Sequence, residues 1–162
     1  MKKKTLLPVL ALGLLLATPV SVYAEGWAKS GSDWTYLDRN NNKITNEWRK
    51  GADDKWRYLN DAGVMATNSW VDDDKYYVDG QGLIAEGWRK LKDGSEEYWA
   101  YFQEGGKAVK GNWKNINNKY YYFDEDGKML TGWILDNNYY IKNDGTMVTG
   151  WYKLMPPSDE EE

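Results

Sequence analysis

Aromatic rings are the residues of this chain most able to do chemistry. Ten tryptophans and thirteen tyrosines stand among 162 residues, with no histidine and no cysteine. The missing His and Cys remove the groups on which most nucleophilic catalysis and thiolate metal sites rely. Rings act through their faces, which carry negative charge density and attract cations. A methylated ammonium suits them best: it donates no hydrogen bond, loses little on leaving water, and gains about 0.5–2 kcal/mol from each ring. The rings are also periodic. Lead tryptophans fall at Trp27, Trp48, Trp70, Trp88, Trp113, Trp133 and Trp151, 18 to 25 residues apart. Self-similarity at this period marks a repeat architecture.

The unit that positions the rings is clearest from Gly111 to Gly132, GNWKNINNKYYYFDEDGKMLTG. A lead Trp is followed by a polar turn and then an aromatic run, here Tyr120-Tyr121-Tyr122-Phe123. Two short β-prone segments around a turn predict a β-hairpin. A second turn follows, usually Asp-Gly as at Asp126-Gly127 and Asp144-Gly145. After it come apolar pairs, Val64-Met65, Leu83-Ile84, Met129-Leu130 and Met147-Val148, expected to plug the space between layers. No apolar period of 3.6 residues runs through the chain after residue 24. The fold class expected is therefore all-β, a β-solenoid of about six stacked β-hairpin repeats with almost no helix after the leader.

Met1 to Ala24 reads as a signal peptide: three lysines, a short apolar stretch, and a small-residue exit at Val22-Tyr23-Ala24. The expected division is a leader over 1–24, a repeat domain over 25–155 and an acidic disordered tail over 156–162. The mature chain is expected to carry no membrane span. Removal of the leader leaves 18 of the 21 cations against 25 acids, a net charge of −7. That balance excludes nucleic acid as a partner, which needs a basic face. Asp72-Asp73-Asp74 lacks the alternating ligand spacing of a calcium loop, so no metal site and no cofactor are expected.

Stacking brings the rings together. Neighbours in a strand point to opposite faces, so one face of a hairpin meets the opposite face of the next. The junction then collects the lead Trp and first run residue of one repeat with the second run residue of the following repeat. Three rings around one methylated cation give an affinity near millimolar once the cost of association is subtracted. Affinity so weak becomes useful only when several sites engage one polymer.

GNWKNINNKYYYFDEDGKMLTG and GWILDNNYYIKNDGTMVTG resemble the choline-binding repeats of Gram-positive surface proteins over most of Gly26 to Trp151. The resemblance implies a left-handed solenoid of hairpins, secreted and held non-covalently at the cell surface. Its partner would be choline or phosphocholine on cell-wall teichoic or lipoteichoic acid, bound between consecutive repeats. Carried over residue by residue, it implies three choline-binding sets. The first is Trp48, Trp56 and Tyr76, with Met65 as an apolar wall. The second is Trp88, Trp99 and Tyr121. The third is Trp113, Tyr120 and Tyr139, with Met129 nearby. Three junctions depart from the pattern: Trp27 and Trp34 would meet Arg57, which should repel a cation; Trp70 is followed by Lys75; Trp133 is followed by Asn138. The third run residues, such as Tyr58 and Tyr122, are assigned to packing. The alternative is a glucan- or glycan-binding repeat protein, since sugars also stack on rings. A host protein meeting the exposed loops is a further possible partner. No catalytic residues are expected, and the chain reads as a binding module rather than an enzyme.

Overall fold

The computed structural model describes residues 25–153. The expected leader and acidic tail lie outside them. Twelve strands pair in order: β1 (Gly26–Ser30) with β2 (Asp33–Leu37), β3 (Glu47–Lys50) with β4 (Trp56–Leu59), β5 (Ser69–Val71) with β6 (Tyr76–Val78), β7 (Gly87–Asp93) with β8 (Glu96–Phe102), β9 (Asn112–Ile116) with β10 (Lys119–Phe123), and β11 (Gly132–Ile134) with β12 (Tyr139–Ile141). All six pairs are antiparallel two-stranded sheets, called layers 1 to 6 below. No helix occurs among the described residues, and none is therefore long and apolar enough to cross a membrane.

Local chemistry sets each hairpin. Asn117 and Asn118, with φ of 52° and 63°, make the two-residue turn between β9 and β10. Asparagine tolerates left-handed angles that match the twist of the strands. In layers 3 and 6 the connection is longer. Asp72, Asp73 and Asp74 are all left-handed, as are Leu135, Asp136 and Asn137. These connections absorb Lys75 and Asn138, so that β6 and β12 start one residue later than the expected runs. After the second strand, Asp38, Asn60, Asp79 and Asp124 each turn a side-chain oxygen back onto two backbone N–H groups, at 2.7–3.0 Å. The turn is thus held by the residue that opens it, as well as by a left-handed residue near its close: Gly63, Gly82 and Gly127, and Asn41 in layer 1.

Burial grades along the runs of β4, β6, β10 and β12, whereas in β8 it alternates, with Trp99 exposed before buried Ala100. In β10 the residues pass from exposed Lys119 and Tyr120, through half-buried Tyr121 and Tyr122, to buried Phe123. In the graded runs, depth along the strand decides exposure more than side does. The spine of the core is the last run residue: Leu59, Val78, Phe102, Phe123 and Ile141 are all 0% exposed. Each pairs across the second turn with Met65, Ile84, Ala108, Met129 and Met147 respectively. The plug pairs are therefore Met65-Ala66, Ile84-Ala85 and Ala108-Val109, with Met129-Leu130 and Met147-Val148 as expected. Val64-Met65 and Leu83-Ile84 were one residue out of register, because Ala66 and Ala85 are the residues that bury.

Consecutive layers touch closely. The N–H groups of Met65, Ala108, Met129 and Met147 donate to the carbonyls of Trp34, Lys75, Trp99 and Tyr120 in the layer before, at 2.7–2.9 Å. The second-turn glycine lies over the plug of the previous layer. At Gly82, φ is +73° and an added Cβ would stand 3.1 Å from both the Ala66 carbonyl oxygen and the Met65 sulfur. Gly82→Ala is expected to cost about 2–4 kcal/mol, from left-handed strain and overpacking together. Gly94→Ala, at φ +62° with nothing within 4 Å, should cost only the backbone part, ~1–2 kcal/mol. Thermal or urea unfolding of the two variants measures the difference.

Candidate functional site

Each lead Trp faces the third run tyrosine directly across its own hairpin. Trp27–Tyr36, Trp48–Tyr58, Trp70–Tyr77, Trp88–Tyr101, Trp113–Tyr122 and Trp133–Tyr140 all meet edge to face at 5.1–5.8 Å. These tyrosines pack within the layer, as the sequence suggested. Packing fixes one side of the indole and leaves the other for the next layer.

On that other side stands the second run residue of the following repeat. Trp48 meets Tyr76 at 5.5 Å, Trp88 meets Tyr121 at 4.8 Å, and Trp113 meets Tyr139 at 5.1 Å. The first run rings complete two of the sets visibly. Trp48, Trp56 and Tyr76 line one open cavity of about 280 Å³. Trp99 stands perpendicular to Trp88 at 6.2 Å. In the third set, Tyr120 is 46% exposed, a ring face free for a ligand. Trp56 and Trp99 are exposed to the same degree, 47% and 42%. The first run ring is thus accessible in every set, joined in the third by Tyr139 at 43% exposed, while the lead Trp is anchored.

The two methionines lie one junction earlier than expected. Met65 shares a pocket with Trp27 and Trp34, and Ile84 is the apolar wall of the Trp48 cavity. Met129 packs with Trp88 and Tyr121 against Phe123, and its N–H is tied to the Trp99 carbonyl. By the same hydrogen bond Met147 is tied to Tyr120. The wall comes from the following repeat, because the second turn lies over the layer before it.

Charges of both signs stand at these rings. The Trp48 indole N–H donates to the Asp72 carboxylate at 3.3 Å. The Lys50 ammonium lies 5.4 Å from the Trp56 ring, and Lys29 lies 5.8 Å from Trp34. The rings thus already attract the protein's own cations.

The three departing junctions differ among themselves. Trp70 lacks a first run ring, but the Lys110 ammonium sits 4.5 Å from its centroid. Its indole N–H donates to Tyr98 Oη at 3.2 Å, and Phe102 packs on it at 5.4 Å. This seat is filled from within. Tyr98 and Lys110 were not foreseen; the longest spacing, from Trp88 to Trp113, was the signal that layer 4 has a longer hairpin reaching further. Trp133, 53% exposed, lines an open pocket with Asn138, Tyr139 and Tyr152. Arg57 stands between layers 1 and 2 as foreseen, but its charge is met. Two of its nitrogens donate to Asp53 at 2.7 and 2.9 Å. That bond holds the Asp53 carboxyl far below the usual carboxylate range. The repulsion expected from an isolated cation is therefore largely cancelled. Among the described residues no group of His, Cys, Asp and Glu could hold a metal ion.

Fold and site together define a repeat protein of β-hairpins with ring sets built across successive layers. Family models described as choline-binding repeat match residues 42–83 and 109–150, together just over half of the chain. The chain belongs to the choline-binding repeat proteins. Choline binding protein F from Streptococcus pneumoniae is 32% identical, with a TM-score of 0.59 over 77% of this chain and 42% of that one. CbpJ from Streptococcus pneumoniae TIGR4 is 30% identical, with a TM-score of 0.60 over 77% and 42%. Glucosyltransferase-S of Streptococcus mutans is 31% identical over 118 residues, 72% of this chain and 7% of that one. The chain thus spans under a tenth of the curated relatives it matches, and under half of these solved chains.

Proposed function

We propose that the chain is a non-catalytic binding module that holds choline between successive repeats and so attaches to choline-bearing teichoic or lipoteichoic acid of the cell wall. The observation that carries this reading is the recurrence of one construction at three junctions. Lead Trp and next-layer Tyr lie 4.8–5.5 Å apart at each; Trp56 and Trp99 stand beside the first two pairs, and the third set has the exposed Tyr120. Such rings enclose a trimethylammonium group, while Ile84, Met129 and Met147 cover its methyls. On this reading the six layers form a β-solenoid, the protein is secreted through the leader, and it resides at the cell surface. Each site is weak, near millimolar, so attachment depends on several sites engaging one polymer.

The test is retention on a choline-substituted resin. The reading expects the protein to bind and to elute with free choline, and not to elute with glucan. Elution by glucan but not by choline would replace it with the glycan-binding reading. That second reading has some support: choline binding protein F has been crystallised in the presence of a tetrasaccharide-pentapeptide peptidoglycan analogue.

A further inference from the structure

The junction between layers 1 and 2 holds a different kind of pocket. Trp27 and Trp34 supply two rings and Met65 the wall, as at the ring triplets. The place of the third ring, taken elsewhere by Tyr76, Tyr121 and Tyr139, belongs to Arg57. The cavity is about 400 Å³, against about 280 Å³ at the Trp48 junction. It therefore has room for more than a trimethylammonium group.

The guanidinium is only partly used. Its Nη1 and Nη2 end grips the Asp53 carboxylate, and Nη1 also donates to the Lys55 carbonyl at 3.3 Å. Among the described residues nothing accepts from Nε. The Nε–Nη2 edge, the second of the two forks by which arginine grasps an oxyanion, is thus unpaired, on a side chain 19% exposed. Gly51 makes room for the ion pair: a Cβ there would collide with Arg57 Nη1 and stand 2.7 Å from Asp53 Oδ1. The Arg57–Asp53 pair presents one positive and one negative end at the rim. A bare cation gains little from such a pair, whereas a zwitterion can lie antiparallel to it.

We propose that this pocket is a zwitterion site: Trp27, Trp34 and Met65 take the methylated ammonium of a phosphocholine group, and the free edge of Arg57 takes its phosphate. This rests on the cation-binding reading above and adds recognition of the anionic half of the ligand at one junction. The same group ends a wall polymer or a lipid, and the two sources can be told apart.

The experiment is a titration of the full chain, followed by the indole N–H resonances of its tryptophans. Phosphocholine should shift Trp27 and Trp34 at about tenfold lower concentration than choline, the usual worth of a charge-assisted fork. Trp48 and Trp88 should show no such preference. Arg57→Gln, and independently Gly51→Ala, should abolish the preference at Trp27 while leaving the Trp88 titration unchanged, which also reports that the variants are folded. Equal response of Trp27 to both ligands, or a preference that survives in Arg57→Gln, overturns the proposal. If Trp48 and Trp88 respond to neither ligand, the general reading fails; if they respond and Trp27 stays silent, only this inference fails. Arg57-dependent sedimentation with phosphatidylcholine vesicles would support a lipid source, and Arg57-dependent retention on phosphocholine-bearing wall polymer would support the wall. Dependence in neither overturns the proposal.

Discussion

Alanine at both Trp56 and Trp99 is expected to strip the protein of its hold on a choline-substituted resin while leaving the hairpins folded. These rings are 47% and 42% exposed, and each forms the open side of a set anchored by a half-buried lead Trp. Removing a half-exposed surface ring costs stability of only about 1 kcal/mol. Removing a cage ring costs about 0.5–2 kcal/mol of site affinity, roughly 2- to 30-fold. On the proposed reading three weak sites act together, and disabling two should remove the multivalent gain, about 100-fold or more in retention. Lead tryptophans are a less clean test, because Trp88 also packs on Tyr101 and Phe123. Among them, Trp113→Ala should still weaken retention more than Trp70→Ala, since the Trp70 face is occupied by Lys110. The choline concentration needed for elution, read beside the far-UV spectrum of each variant, checks both statements. Unchanged elution of the Trp56 and Trp99 double variant would sink the cage.

The parts legible in the sequence were those written in residue type at a regular period. The lead tryptophans, the hairpin runs and the Trp48–Tyr76, Trp88–Tyr121 and Trp113–Tyr139 pairs follow from alternation in a strand and from stacking of like units. What was not legible depended on lengths that vary between repeats. Loops of different length hide the register of the second turn, so Met65 and Met129 were placed one junction late and Ala66 and Ala85 passed unnoticed as core. The longer layer 4 hairpin, in which Tyr98 pairs with Leu91 and reaches Trp70, arises from the same variation. Ion pairing was the other blind spot. Arg57 alone reads as a repulsive charge; only the five-residue turn after β3 brings Asp53 against it. An aromatic period thus specifies the sites that share a rule, and says little about the junctions where the protein departs from it.

Phe102→Ala should be the most damaging single change to the fold, at about 3–5 kcal/mol. Phe102 is 0% exposed and clusters with Ala85, Leu91, Ala100 and Ala108. Its ring also reaches into the preceding layer, 5.4 Å from Trp70 and 6.2 Å from Tyr77. The lost packing therefore falls on the junction between layers 3 and 4. In a repeat protein, stability sums largely over interfaces between neighbouring units, so one weakened interface is expected to loosen the coupling of the units on either side. The expected thermal unfolding is a single transition for the parent chain and two for the variant. The ring sets should survive uncoupling, because Trp48–Tyr76 lies within layers 2 and 3 and Trp88–Tyr121 within layers 4 and 5. Free choline at about 100 times its dissociation constant should then raise the stability of each half by ~2.7 kcal/mol per occupied site. Calorimetry of Phe102→Ala with and without choline reads both effects. One undivided transition, with a loss below ~1 kcal/mol, would show that the layers do not depend on their buried spine for cohesion.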